Sequence, residues 1–258
     1  MTVLLVDIGN TRIKWARLDG QRIGRQHAAV HSGWRAQDYA RVIGAARGLE
    51  QVMAASVASS RVNKNLAIAV RRAGLAAPQF VSSRRRAGGI TVGYLEPWRL
   101  GVDRFVAAIG AHYLARGKAV CVVGVGTAMT IDLIGAEGRH WGGAIIPAPD
   151  LMVKTLLRST NGIRRRARGG ATGGRGLFGQ STRAGIVQGS RYAAAAVIDR
   201  AVGEARTLVG RTPVVILTGG EASAVQPLLH TACRYVPDLV LKGLAVLAAE
   251  TRRRAPAA

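Results

Sequence analysis

A short apolar strand that runs directly into a carboxylate and a glycine turn, and then recurs, narrows the folds open to this chain more than any other feature. Residues 3–6 form an apolar run suited to a strand covered on both faces, and they lead into Val6-Asp7-Ile8-Gly9-Asn10-Thr11-Arg12-Ile13-Lys14. Residues 120–123 form a second such run, leading into Gly124-Val125-Gly126-Thr127-Ala128-Met129-Thr130-Ile131-Asp132. Leu5-Val6-Asp7-Ile8-Gly9-Asn10 aligns with Val122-Val123-Gly124-Val125-Gly126-Thr127. A single copy is also compatible with a polar hairpin turn, because short glycine motifs recur by accident. Two copies of strand, glycine turn and return strand imply a chain built as two related halves.

The chemistry of the turns suits a nucleotide. Asp7 sits where the strand leaves the core, Gly9 lets backbone approach a ligand, and Asn10 and Thr11 offer short polar groups and amides. Lys14 can add a point charge for phosphate oxygens. A third turn, Thr218-Gly219-Gly220-Glu221-Ala222, follows the apolar run 214–217. Phosphates fit between the first two turns, and the missing side chains of Gly219 and Gly220 would let a flat adenine meet the backbone.

Size and composition set the limits. A chain of 258 residues with 48% hydrophobic and 20% charged residues can bury a sizeable core as one large domain or two ordinary ones. No stretch approaches the roughly 18 apolar residues that span a bilayer. The short apolar start is broken by Asp7 and the Gly9-Asn10 turn, unlike a secretory signal. A soluble, cytoplasmic protein is expected. Cys121 and Cys233 are the only cysteines, too few for a disulfide framework or a cysteine-based zinc site. The net charge of +23 raises the question of nucleic acid. Of 37 Lys and Arg residues only five are Lys, and the arginines are spread along the chain. Arg84-Arg85-Arg86, Arg164-Arg165-Arg166 with Arg168, and Arg252-Arg253-Arg254 are real clusters, but no aromatic stripe accompanies them. Attraction of an anionic substrate accounts for such a field without a nucleic-acid partner.

Periodicity predicts strands over 12–18 and 23–30, joined by a hairpin turn at Asp19-Gly20, then helix 37–47, strand 51–58, helix 63–73 and strand 79–82. Three antiparallel strands followed by alternating helix and strand make a ribonuclease-H-like half, assigned to residues 1–116. The second half, 117–258, is predicted to carry strands 119–123, 127–134, 140–146 and 214–218, with helices 150–157, 182–209 and 242–253. Residues 162–179, rich in Gly and Arg with little periodicity, read as a surface loop.

One further segment carries chemistry. Tyr94-Leu95-Glu96-Pro97-Trp98-Arg99-Leu100-Gly101-Val102-Asp103-Arg104 precedes a helix whose apolar positions Phe105, Ile109 and Tyr113 fall four apart. Asp103 can be a helix cap and Arg104 a surface charge. Equally, a phosphoryl acceptor needs a carboxylate beside its hydroxyl, and an adjacent Arg can hold an anionic substrate. The sequence lacks a Gly-x-Ser-x-Gly elbow, a His-Glu-x-x-His pair and a Walker lysine, and its five His are scattered, as surface or satisfied core groups are.

Taken together, DIGNTRIK at 7–14, Tyr94 followed by GVDR at 101–104, GTAMTID at 126–132, GGAIIP at 142–147 and LTGGEA at 217–222 resemble the type III pantothenate kinases. The likeness runs nearly end to end. That family belongs to the sugar kinase, Hsp70 and actin superfamily, so the resemblance implies duplicated ribonuclease-H-like, actin-like ATPase domains with the active site in the cleft between them. It implies ATP-dependent phosphorylation of pantothenate to 4′-phosphopantothenate, the first step towards coenzyme A. By position, Asp7, Ile8, Gly9, Asn10, Thr11, Arg12, Ile13 and Lys14 would hold ATP phosphates, with Thr127, Gly219 and Gly220 also meeting the nucleotide. Tyr94, Gly101, Val102, Asp103, Arg104 and Thr182 would bind pantothenate, with Asp103 as proton acceptor and Asp7 holding Mg2+ through water. A homodimer is implied, with Thr182 reaching the acceptor pocket of the other subunit.

Two departures from the family stand out. Gly124 replaces an Asp associated with a monovalent cation, K+ or NH4+, and Ala148 replaces a Gly. The same family includes Bvg accessory factors that affect transcription, so a basic regulator with weak or no kinase activity is the alternative. It would be free to lose Asp7, Asp103 or Arg104, all of which are present.

Overall fold

The structure, a computed structural model, describes residues 2–44, 48–169 and 174–254. Its first apolar run forms strand β1 (Thr2–Ile8), in which Val3, Leu4, Leu5, Val6 and Ile8 are buried. After it come β2 (Arg12–Asp19), β3 (Arg22–Ile23), β4 (His27–Val30), α1 (Ala36–Gly44), β5 (Gln51–Ser56), α2 (Ser60–Arg72), β6 (Gln79–Phe80), the short pair β7 (Arg86–Ala87) and β8 (Ile90–Thr91), and α3 (Val102–Ala115). Apolar side chains on both faces require a central strand covered on both sides. β1 accordingly lies inside a six-stranded sheet ordered β3-β2-β1-β5-β6, with β4 also on β2. It runs antiparallel to β2 and parallel to β5.

The expected strand over 23–30 is two pieces. β2 pairs Leu18 with Ile23 but Trp15 with His27, so the outer strand carries one more residue than its partner between those pairs. That extra residue is a bulge, which hydrophobic alternation cannot reveal.

The second apolar run forms β9 (Val120–Val125). It is followed by β10 (Ala128–Ile134), β11 (His140–Pro147), α4 (Pro149–Ser159), α5 (Asn161–Arg166), β12 (Gly174–Arg175), β13 (Phe178–Gly179), α6 (Thr182–Val209), β14 (Val214–Thr218), α7 (Ala222–Val225) and β15 (Arg234–Tyr235). The sheet order is β11-β10-β9-β14-β15, with β10 antiparallel and β14 parallel to β9. This repeats the first sheet: a central strand, an antiparallel return strand on one side and parallel strands on the other. Ala194, Ala195, Ile198 and Val202 of α6 join Val123, Val125 and Leu217 in the core of this half.

The last helix, α8 (Leu239–Arg254), follows the second sheet in sequence but belongs to the first compact unit. Unit one comprises Met1–Gly117, Gly138–His140 and Asp238–Ala258; unit two comprises Lys118–Glu137 and Trp141–Pro237. The first segment of unit one thus ends at Gly117, and α8, placed by sequence in the 117–258 half, groups with unit one. The helices α3 and α8 approach so closely that a Cβ on Gly243 would fall 1.9 Å from the Val106 carbonyl oxygen, and one on Gly110 2.6 Å from that of Leu239. Only residues without side chains let two helix backbones meet in this way.

Two other expectations are revised. The segment 162–179 contains α5 and the β12/β13 hairpin, where arginine side chains gave no periodic apolar face to read. Tyr113 is 66% exposed although Phe105 and Ile109 on α3 are fully buried, so the apolar stripe ends before it. The expected helix over 37–47 ends in residues outside those described, as do 170–173 of the Gly/Arg segment. Among the described residues no helix is long and apolar enough to cross a membrane.

Candidate active site

The first turn closes β1 onto β2. Ile8 pairs with Ile13 and Asp7 with Lys14, and the Gly9 amide donates to the Arg12 carbonyl at 3.0 Å. Asn10, Thr11 and Arg12 are exposed. Ile8 and Ile13 instead point into the core, so only their backbone can face a ligand. Asp7 opens onto solvent over part of its surface, yet burial pushes its carboxyl up to about 6. Lys14 opposes that rise, and the charge of Asp103 adds to it. A carboxylate crowded in this way gains from a nearby cation.

Sequence reasoning missed the group that props this turn. His31, 4% exposed, places Nε2 2.8 Å from the Gly9 carbonyl oxygen, so Nε2 must carry the proton and donate. Its backbone amide donates to the Thr11 carbonyl at 3.2 Å, and Tyr39 Oη lies 3.5 Å from Nδ1. No periodicity marks His31; only its place just after β4 could have suggested it.

In the second unit, β9 and β10 pair Val125 with Met129 and Gly124 with Thr130, matching the Ile8 and Asp7 pairs of the first turn. Thr127 is exposed at the tip, and its carbonyl accepts from the Ala148 amide at 3.4 Å. The third turn sits on the second. Glu221 N–H donates to the Val125 carbonyl at 3.1 Å, and Glu221 Oε2 accepts from the Asp150 amide at 3.3 Å. Desolvation, with the nearby Asp150 charge, raises the Glu221 carboxyl, against the pull of the Asp150 amide and Lys154. Gly219 has φ +103°, and a Cβ there would lie 2.1 Å from the Val125 carbonyl oxygen. Its missing side chain is therefore needed by the protein's own backbone, whereas a Cβ on Gly220 meets nothing within 4 Å. Beside this turn opens a cavity of about 510 Å³, lined by Gln188, Arg191 and Tyr192 from α6 and by Ser223, Pro227 and Leu228.

The third group lies in the first unit at the start of α3. Asp103 is the second residue of that helix, and its Oδ1 accepts from the Arg104 amide at 2.9 Å. Gly101 leaves room for this carboxylate, since a methyl there would sit 2.7 Å from Oδ1. Arg104 is 7% exposed, not a surface charge. Its guanidinium donates to Tyr94 Oη at 3.0 Å and lies 5.8 Å from the Tyr94 ring centre, and that ring packs on His140. Tyr94, Gly101, Val102, Asp103 and Arg104 are thus gathered in one unit, and Asp103 bears electrostatically on Asp7. Thr182 belongs to the other unit, on the first turn of α6, where Ser181 Oγ caps the helix by accepting from the Ala184 amide.

Asp7 is a chemically fitting holder for Mg2+, which keeps several waters and takes few carboxylates. The monovalent-cation position fits less well. Gly124 offers no carboxylate, and the side-chain atoms nearest to a Cβ built there are Thr130 Oγ1 at 3.0 Å and Thr218 Cγ2 at 3.9 Å.

Residues 3–204 match the model of a family described as type III pantothenate kinase. A protein of that name from Nitrosococcus oceani is 35% identical over 259 residues, covering 97% of this chain and 95% of its own length. Among solved structures, a Campylobacter jejuni protein described as a Baf family transcriptional activator superposes with a TM-score of 0.60 at 18% identity, covering 97% of this chain and 99% of that one. A ROK family glucokinase from Streptomyces griseus, solved with glucose and AMPPNP, gives 0.50 at 16% identity, covering 97% and 100%. At these identities the two structures speak for the fold alone, that of the actin-like ATPases and sugar kinases.

Proposed function

This chain belongs to the type III pantothenate kinase family, and we propose that the residues described above divide the reaction as follows. The enzyme transfers the γ-phosphoryl group of ATP to pantothenate, giving 4′-phosphopantothenate and ADP. The exposed amides and side chains of Asn10, Thr11 and Arg12, with Gly9 and Lys14, grip the phosphates, while Ile8 and Ile13 contribute backbone only. In the second unit Thr127 meets ATP, and Gly220 together with the neighbouring 510 Å³ cavity suits adenosine in size and in its mix of apolar and polar walls.

Pantothenate is held by Tyr94, Gly101, Val102, Asp103 and Arg104. A guanidinium has five N–H donors, so Arg104 can bind Tyr94 and still pair with the pantothenate carboxylate. Asp103 orients the primary hydroxyl and takes its proton as the oxygen attacks the γ-phosphorus in line, with the bond to the ADP oxygen breaking. Mg2+ near Asp7 supplies charge neutralisation for the phosphates when bound. The reading extends to a homodimer in which Thr182 of the partner subunit completes the acceptor site; a sedimentation run showing only monomer at assay concentration removes that part.

The observation that carries the reading is the joining of a buried arginine to a tyrosine hydroxyl directly after a carboxylate at a helix start. A guanidinium held beside a carboxylate and a phenol is suited to an anionic acceptor that also carries a hydroxyl. The test is ADP release by the purified protein with ATP alone, with pantothenate, with glucose and with polyphosphate. Release that depends on pantothenate is expected; turnover of glucose or polyphosphate in its place contradicts the reading.

A further inference from the structure

The loop bearing Tyr94 gains little from burial. Val92 and Leu100 at its ends are 1% and 2% exposed and Pro97 between them is buried, but Leu95 is 94% and Trp98 68% exposed. A segment with so few apolar contacts needs polar ties to keep one conformation. Beside the Arg104–Tyr94 bond, the Glu96–Arg99 pair and the turn at 96–100, the ties on its backbone carbonyls include a set from one short stretch of chain. The Arg85 guanidinium donates to the carbonyls of Val92 at 2.9 Å, Tyr94 at 2.7 Å and Leu95 at 2.8 Å. Ser83 Oγ, in a 9% exposed residue, donates to the Leu100 carbonyl at 2.7 Å, one residue before Gly101. The Arg85 carbonyl in turn accepts from the Val92 amide at 2.9 Å.

We propose that Ser83 and Arg85 form a clasp that positions the acceptor-binding loop, Arg85 fixing the backbone at Tyr94 and Ser83 fixing the approach to Gly101 and Asp103. Both are positioning residues: neither touches the reacting atoms. The proposal rests on the reading of Tyr94 and Asp103 as acceptor-site groups. It also gives one member of the first arginine cluster a specific task inside the fold. A planar guanidinium serving three carbonyls cannot be replaced by an ammonium, which is a compact charge without the fork geometry.

The experiment compares Arg85→Ala, Arg85→Lys, Ser83→Ala and Tyr94→Phe by steady-state kinetics in both substrates, with thermal melts to establish folding. Freeing the loop should raise the pantothenate KM of Arg85→Ala about tenfold, the order expected for hydrogen bonds from a charged donor, with the ATP KM within about twofold of wild type. Arg85→Lys should recover only part of the loss, and Ser83→Ala should lower kcat more than it raises the pantothenate KM. If Tyr94→Phe raises the pantothenate KM and neither Arg85 variant does, the clasp is overturned while the site reading stands. If Arg85→Ala raises it and Tyr94→Phe does not, the clasp holds and the role of Tyr94 falls. Equal rises in both KM values, or no change in any variant, reject the clasp. Should Arg85→Ala fail to fold, Arg85→Lys carries the same decision.

Discussion

The first and second turns share a frame and differ in what fills it. Each closes a buried strand onto its return strand, and each puts its glycine one residue beyond a core position, Gly9 after Ile8 and Gly126 after Val125. At the matched inner position one turn sets Asp7 against Lys14 and the other Gly124 against Thr130. Their backbone supports correspond: the amides of Val57 and His31 donate to the Ile8 and Thr11 carbonyls, and those of Glu221 and Ala148 to the Val125 and Thr127 carbonyls. The first turn adds a buried histidine side chain on the Gly9 carbonyl. Duplication supplied the scaffold twice, and only one copy kept a carboxylate. With both turns braced by backbone amides, the shape of the second does not depend on an ionisable side chain at Gly124.

The harshest way to disturb the second turn is through the third. Gly219→Ala would drive a methyl into the Val125 carbonyl and force an L residue into a left-handed backbone, at a cost of about 2–4 kcal/mol. A lowered melting temperature with loss of ATP binding is expected. A normal melt would mean that the two turns are not braced together.

On the first turn, Asp7→Asn should cut kcat by about a hundredfold or more, the usual scale for losing one electrostatic group of a phosphoryl-transfer site. Stability should move the other way. Folding raises this carboxyl from 3.8 to about 6, so the fold disfavours its charged form, and the penalty is full above about 6 and vanishes as pH falls towards 3.8. The Asn variant should therefore melt above wild type at pH 8, with the gap closing between pH 6 and 4. A wild type that melts higher at every pH would remove the burial argument.

His31→Ala tests the prop. Leaving the Gly9 carbonyl without its donor should cost about 1–3 kcal/mol and raise the ATP KM more than the pantothenate KM. His31→Gln, which keeps an N–H donor, should restore part of both.

Much of this arrangement was legible in the sequence, for reasons visible in particular residues. Helix 182–209 and strand 214–218 match the structure because Ser181 is a capping residue and the strand is a clean apolar run. The site candidates Asp7, Asp103 and Arg104 could be named from sequence because each stands in a local motif. His31, Ser83 and Arg85 were not, since their partners are 22, 17 and 7–10 residues away and their roles exist only once the chain has folded. The return of α8 to the first unit escaped notice for the same reason: Gly110 and Gly243 carry no periodic signal, and their contact is tertiary.

The mildest change should be Gly124→Asp. A Cβ at 3.0 Å from Thr130 Oγ1 asks that side chain to give by a few tenths of an ångström, so the fold should survive. The wild type is expected to respond little to K+ or NH4+ at constant ionic strength, and the variant to gain a dependence of about twofold, the scale of an exposed ion contact. Strong activation of the wild type by K+ would show that the cation is held without a carboxylate at 124.

In the proposed mechanism Asp103 takes the proton from pantothenate in a site assembled for ATP-dependent phosphoryl transfer. Its most direct test is pantothenate-dependent ADP release by purified Asp103→Asn protein beside wild type, with circular dichroism on both. A folded variant whose kcat falls by about a hundredfold or more is expected. Turnover near the wild-type rate in that variant would contradict it.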